Sequence, residues 1–494
     1  MNEQKYLFPI SPVLRKRCYR REKMNKTLYS QRKRRYNHSK FSPILPFRSL
    51  SAFSAAGRSS LSLSWKRLKE EDFRRECVKA LTFRLLKTIR GLLGVHRLPM
   101  RLFPNEKASI HERKVILLSD KSALVSLDSY VRRLIAESTP DHTVWNIEKI
   151  RTNQPSSWNY IDDCMISALI TLADITGEQE YFDFAERFID AFVLEDGSIR
   201  TYKPDSHALD DINEGRVLFA LYEATQKEKY RLAADFLHAQ LALQPRTFEG
   251  SWWHKQIYPD QVWLDGIYMA HPFAALYEKY FGSGDYSDIL RQLETVEAHM
   301  RDPETGLYYH GYDASKKAFW CDPETGLSRN FWLRALGWFS VALADLLEIL
   351  PADQAEIPKR IFTGLMRSLT AFSDAETGMY YQVVNLPDAE GNYLETSGSS
   401  MIAYAMLKGA RLGVLEPRFA GLGQKTFDGI VGTCLSFSGE ELNLDRICLV
   451  AGLGPESNRR RDGSVAYYLS EPVVQNDAKG VAPLMMCYTE VRRR

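Results

Sequence analysis

Residues Ile166-Ser-Ala-Leu-Ile-Thr-Leu-Ala173 carry apolar side chains at i, i+3, i+4 and i+7, one face of an α-helix. The polar turn Thr176-Gly-Glu-Gln-Glu-Tyr181 interrupts the pattern, and a second helical run follows over 182–192. The same module returns twice. A run over 217–224 leads through Gln226-Lys-Glu-Lys-Tyr230 into a helix reaching 243, and a run over 273–281 leads through Gly282-Ser-Gly-Asp-Tyr286 into a helix reaching 299. Tyr181, Tyr230 and Tyr286 thus recur about every 50 residues, the period of a repeated helical hairpin. With no alternating strand pattern between them, the hairpins predict an all-α fold. Its helices form a closed double ring, and the loops at one end make a pocket.

A second repeat lies between hairpins. Asp302-Pro-Glu-Thr-Gly-Leu-Tyr-Tyr-His310 matches Asp374-Ala-Glu-Thr-Gly-Met-Tyr-Tyr-Gln382, and Asp322-Pro-Glu-Thr-Gly-Leu327 shares its first half. Asp at the start and Gly at the end suit a tight turn. The spacing is not that of an EF-hand, so the turns are read as structural. They should cluster at one end of the helices and leave His310 and Gln382 on one rim.

Charge divides the chain. Residues 1–100 hold 25 Lys+Arg against 6 Asp+Glu, and the remainder holds 40 against 56. Residues 1–110 are expected to be a basic extension of low order, and 125–494 a catalytic barrel domain. A nucleic-acid or membrane-surface arm is the other reading of the basic part. The acidic body is a poor nucleic-acid binder. Seven cysteines without a CxxC pair imply neither a disulfide framework nor a zinc cluster, and fit a reducing, cytoplasmic compartment. No run approaches the ~20 apolar residues of a membrane helix, and charges interrupt the N-terminus where a secretory signal needs an apolar core.

Three constellations could carry chemistry. In the first, Trp252-Trp-His254-Lys and Tyr258-Pro-Asp-Gln-Val-Trp263-Leu-Asp265-Gly-Ile-Tyr268-Met269, a carboxylate sits among aromatic residues. Apolar surroundings disfavour the charged form, as a general acid requires; the alternative is a helix N-cap. In the second, Asp210 and Asp211 precede a helix beginning near Arg216. They are either caps or half of a paired-carboxyl site of the kind glycosidases use. The third is His310 with Trp332-Leu-Arg334-Ala-Leu-Gly-Trp338. Arg334 could clamp an anion, and the indoles could stack on a sugar. An Arg in an apolar helix otherwise needs a buried partner. Walker, HExxH, GxSxG and Rossmann fingerprints are lacking.

These residues carry a resemblance. His254-Lys255, Tyr258-Pro259, Trp263-Leu-Asp-Gly-Ile-Tyr-Met269, Tyr309-His310, Phe331-Trp-Leu-Arg-Ala-Leu-Gly-Trp338, Glu395-Thr-Ser-Gly-Ser-Ser-Met401 and Glu471-Pro-Val-Val-Gln-Asn-Asp-Ala-Lys-Gly480 follow the order and spacing of the unsaturated rhamnogalacturonyl hydrolases. These are glycoside hydrolase family 105, related to the unsaturated glucuronyl hydrolases of family 88. The resemblance covers roughly residues 130–490. It implies an (α/α)6 barrel that hydrates the double bond of a 4,5-unsaturated uronic acid at the non-reducing end of a lyase product, with no metal or organic cofactor and an anionic oligosaccharide as partner. Asp265 matches the family's general acid/base and Asp210 its second aspartate. His254, Trp263, Met269, His310, Trp332, Arg334 and Trp338 match substrate-pocket positions. Asp211 stands where members commonly carry His, and Asp162-Asp163 where a less charged pair is expected.

Two other readings compete. One is a family relative acting on ulvan or glycosaminoglycan fragments. The other is a sugar epimerase on the same kind of barrel, which depends on paired histidines. Only His310 of the 10 His looks well placed for that chemistry.

Overall fold

The computed structural model describes residues 120–494. The expectations for residues 1–110 therefore lie outside the described residues. Thirteen of the helices described are named α1 Asp120–Ala136, α2 Tyr160–Thr176, α3 Gln179–Phe192, α4 Asp210–Asn213, α5 Arg216–Thr225, α6 Glu228–Leu243, α7 Leu264–Tyr280, α8 Ser287–Met300, α9 Leu333–Ile349, α10 Glu356–Leu369, α11 Thr396–Arg411, α12 Arg418–Cys434 and α13 Val465–Ser470. The last, α14, is Ala478–Arg492.

Six of them close an inner ring. Helix α2 packs on α5 with its prelude α4, these on α7, α7 on α9, α9 on α11, α11 on α14, and α14 back on α2. Helices α3, α6, α8, α10 and α12 each lie outside the inner helix that precedes them. α1 completes the outer layer, bound to α14 through Tyr488, whose hydroxyl donates to Asp128 at 2.7 Å. This is an (α/α)6 barrel.

The composition of the two rings follows from position. Inner helices touch neighbours on every side, and α9 and α11 are buried along most of their length. Outer helices keep one wet face. In α10 only Pro358, Ile361, Phe362, Leu365, Met366 and Leu369 are buried, a single stripe. Tyr181, Tyr230 and Tyr286 are all buried, as the hairpin repeat requires. Among the described residues no helix is long and apolar enough to cross a membrane.

The acidic turns share one construction. Asp302, Asp322 and Asp374 each accept the backbone N–H and hydroxyl of the Thr three residues on, at 2.6–3.0 Å. Each turn closes on a Gly at φ +70 to +82°, a region costly for other residues. The turns deliver a carbonyl to a neighbouring helix. The N–H of Leu264, first residue of α7, donates to His310 O at 3.1 Å, and that of Leu333, first residue of α9, donates to Gln382 O at 3.0 Å. Helix starts leave such N–H groups unpaired, so these bonds fix His310 and Gln382 at the N-terminal rim of the inner ring.

Among the described residues all-helical is accurate for the bulk, with three short antiparallel ribbons added. One matters for the site: β1 Gln261–Trp263 pairs with β2 Gly311–Asp313, setting Trp263 opposite Gly311.

Candidate active site

The inner helices place their first residues together. Trp263 and Trp332 occupy the N-cap positions of α7 and α9, neither with a side-chain cap bond. Asp265 and Arg334 follow as the second residues of those helices. Asp265 is therefore no N-cap. Its carboxyl is 12% exposed, and Oδ2 lies 3.1 Å from Nε2 of His310. That separation is within ion-pair range, yet neither atom has an aligned hydrogen bond.

His310 is fully buried. Its Nδ1 is 2.8 Å from the Tyr468 hydroxyl. Trp263 meets the imidazole edge-on at 5.5 Å, and Trp332 lies at 4.8 Å. Trp332 in turn stacks parallel to Tyr468 at 5.9 Å and 7°. Gln382 Nε2 donates to the Tyr468 carbonyl at 3.4 Å, so both turn-ending residues converge on Tyr468, as the rim reading requires.

On the other side of Trp263, His254 stacks at 4.4 Å. Its Nε2 lies 3.5 Å from Asp210, whose second oxygen is 2.5 Å from Lys255 Nζ. Burial pushes His254 down to about 4, only partly offset by Asp210, so the ring is neutral at neutral pH. Burial raises Asp210, but Lys255 and His254 outweigh it and hold the carboxylate below its usual range. Asp211 behaves oppositely. Burial, then the charge of Asp210, pushes it up to about 7. The two adjacent acids thus titrate apart, because Lys255 makes its direct contact with Asp210. Helix starts do not cap through either side chain.

Arg334 is 2% exposed. Its guanidinium lies 4.9 Å from the centroid of Trp332, donates to the Cys448 carbonyl, and reaches Ser397 Oγ at 3.4 Å. Glu395 fixes this region by accepting from Cys448 N–H, Ser397 Oγ and Gly398 N–H at 2.7–3.0 Å. Arg334 is thus largely engaged inside the protein, the buried-partner alternative. Trp338, one turn further along α9, stacks on Tyr268 at 4.4 Å and meets Tyr160 edge-on. Met269, one turn beyond Asp265, is buried in the hydrophobic core.

Sequence reasoning did not reach Tyr468. The only signal was its place in Tyr467-Tyr468, just ahead of the quoted Glu471 motif. It also undercounted histidines, because His254 joins His310 around Trp263. The unexpected pair Asp162 and Asp163 is fully buried. Asp162 accepts from Thr143, Trp145 and Asn146 at 2.8–3.0 Å, and Asp163 from Asn213 at 2.7 Å. They hold the start of α2 in place.

The family model described as Glycosyl Hydrolase Family 88 matches residues 132–494. Protein Atu3128 of Agrobacterium fabrum is 40% identical over 233 residues, 45% of this chain and 97% of its own length. The unsaturated rhamnogalacturonyl hydrolase YesR of Bacillus subtilis is 28% identical over 267 residues, 52% of this chain and 72% of its own. Among solved structures, a family 105 glycoside hydrolase from C. acetobutylicum aligns at TM-score 0.67 and 38% identity, covering 73% of this chain and 99% of that one. The unsaturated glucuronyl hydrolase of Bacillus sp. GL1 aligns at TM-score 0.55 and 15% identity over 76% and 97%, a likeness of fold alone. The matched span, from the last turn of the outer helix α1 through the last inner helix, takes in every site residue described above, and the chain belongs to glycosyl hydrolase family 88.

Proposed function

We propose that the enzyme removes a 4,5-unsaturated uronic acid from the non-reducing end of lyase-generated oligosaccharides, with unsaturated galacturonyl-rhamnose the favoured substrate. The observation that carries this reading is the Asp265 carboxyl facing His310 at 3.1 Å with neither atom satisfied, beside the flat face of Trp263. Buried polar atoms left open are groups that a substrate can satisfy. The N-terminal ends of α7 and α9 point the same way, and their partial positive charge favours an anionic sugar.

In the reaction, Asp265 gives its proton to C4 of the vinyl ether. Water adds at C5, losing its proton to the Asp265 carboxylate. The product is a hemiketal, which opens and releases the rest of the oligosaccharide. Asp210, held ionised by Lys255, accepts a sugar hydroxyl and steadies the ring. Trp263 and Trp332 offer apolar faces to pyranose C–H groups.

The test is loss of ultraviolet absorbance of the conjugated C=C–COOH group across lyase-digested rhamnogalacturonan, ulvan and glycosaminoglycan. Decay with rhamnogalacturonan fragments supports the full reading; decay only with the others moves the substrate to an unsaturated glucuronide. No decay with any sinks it. One observation favours a second reading: His254 and His310 both flank Trp263, the histidine pair an epimerase would need. Mass spectrometry separates the two, because an epimerase adds no water.

A further inference from the structure

The loop over 449–464 carries three consecutive arginines, and they are not equivalent. Arg459 pairs with Glu456 and lies 4.6 Å over Phe319. Arg460 pairs with Glu471 at 2.9 Å and lies 5.4 Å over Tyr467. Among the described residues Arg461 makes no ion pair, and its Nε is buried without a hydrogen-bond partner. Its backbone is fixed, since its N–H donates to Asn458 at 3.2 Å and its carbonyl accepts from Gly454 at 2.8 Å.

The direction of the side chain is given by its neighbours. A methyl group placed on Gly452 would sit 3.4 Å from Arg461 Nη1 and 3.4 Å from Cζ3 of Trp263. The guanidinium and the benzo edge of Trp263 therefore flank the same glycine. Leu453 is fully buried in a cluster with Trp263, Tyr258 and Trp320, which anchors the loop to the site wall. At its far end a methyl on Gly463 would lie 3.7 Å from the Tyr468 hydroxyl, the partner of His310. The loop thus touches the active site through both Trp263 and Tyr468.

A partly buried guanidinium with an unsatisfied N–H and no carboxylate is costly unless a ligand supplies the acceptor. Arg334 is engaged with Cys448, and Lys255 with Asp210. We infer that Arg461 receives a sugar carboxylate of the bound oligosaccharide, in the bidentate manner that guanidinium favours. The inference rests on the uronyl hydrolase reading above, and it assigns the substrate's charge to this loop.

The experiment compares wild type, Arg461→Gln and Arg461→Lys on two substrates. One is an unsaturated disaccharide bearing a single carboxylate; the other is a tetrasaccharide bearing a second. Arg461→Gln is expected to raise KM about tenfold or more, with kcat within about threefold, as for loss of one charge-assisted contact. Arg461→Lys should restore part of the loss, since it keeps the charge and forfeits the fork. A rise on both substrates assigns the carboxylate of the unsaturated ring. A rise on the tetrasaccharide alone assigns a later uronate. Unchanged KM on both, with wild type active, overturns the inference. Calorimetric titration with a saturated galacturonate-containing tetrasaccharide decides independently of turnover. Wild type should bind it more tightly than Arg461→Gln, and equal binding counts against the role of Arg461 even if hydration is never observed.

Discussion

His310 Nε2 and Asp265 Oδ2 face each other at 3.1 Å, both buried, with neither in an aligned hydrogen bond. The pair is placed by backbone alone. Trp263 is paired with Gly311, and Leu264 N–H donates to His310 O, so the two side chains emerge side by side from adjacent elements. Replacing Asp265 with Asn keeps the shape and removes the transferable proton. Turnover should fall by roughly 10²–10⁴, the usual scale for a general acid, while the helical circular-dichroism signal and Tm stay near wild type. A rate within a few-fold of wild type would show that the proton comes from elsewhere.

Tyr468 acts through His310. Burial holds the Tyr468 hydroxyl well above its ordinary range, so it remains a neutral phenol that can donate to Nδ1 and direct Nε2–H at Asp265. Tyr468→Phe should lower kcat about three- to tenfold, the worth of one hydrogen bond, with KM within about twofold. A fall in Tm with an unchanged kcat would mean packing only.

Asp211 makes stability pH-dependent. Burial and the charge of Asp210 push it up to about 7 from 3.8, so the fold binds its proton more tightly than the unfolded chain does. The protonated acid is accommodated at pH 4, and the ionised form costs progressively more as pH rises from about 4 to 7. Asp211→Asn should therefore match wild type near pH 4 and exceed it at pH 8, by up to about 4 kcal/mol. Equal urea midpoints at pH 8 would count against this assignment.

Lys408 closes a buried ion network far from the rim. Its Nζ is 2.7 Å from both Asp345 and Glu348, and Asp345 also accepts the Tyr404 hydroxyl at 2.9 Å. Lys408→Met takes one cation from those carboxylates, leaving Asp345 with Arg216 and Glu348 with Arg411, and should destabilise by roughly 1–3 kcal/mol, read as a lower Tm. Activity per folded molecule should persist.

Local chemistry made much of this protein readable. The 3.6-residue apolar period, the Asp–Thr–Gly turns and the aromatic surround of Asp265 lie within windows of about ten residues, so the sequence carries them whole. By itself it determined the helical hairpins, the rim position of His310 and Gln382, and the candidacy of Asp265. Tertiary structure decided which candidates meet. Tyr468 reaches His310 across 158 residues, and Arg334 is drawn to the Cys448 carbonyl across 114. Asp210 and Asp211 are adjacent, yet only one has Lys255 against it. Those outcomes depend on which helix starts the closing ring brings together, and no periodicity within one segment records a contact whose partner lies several helices away.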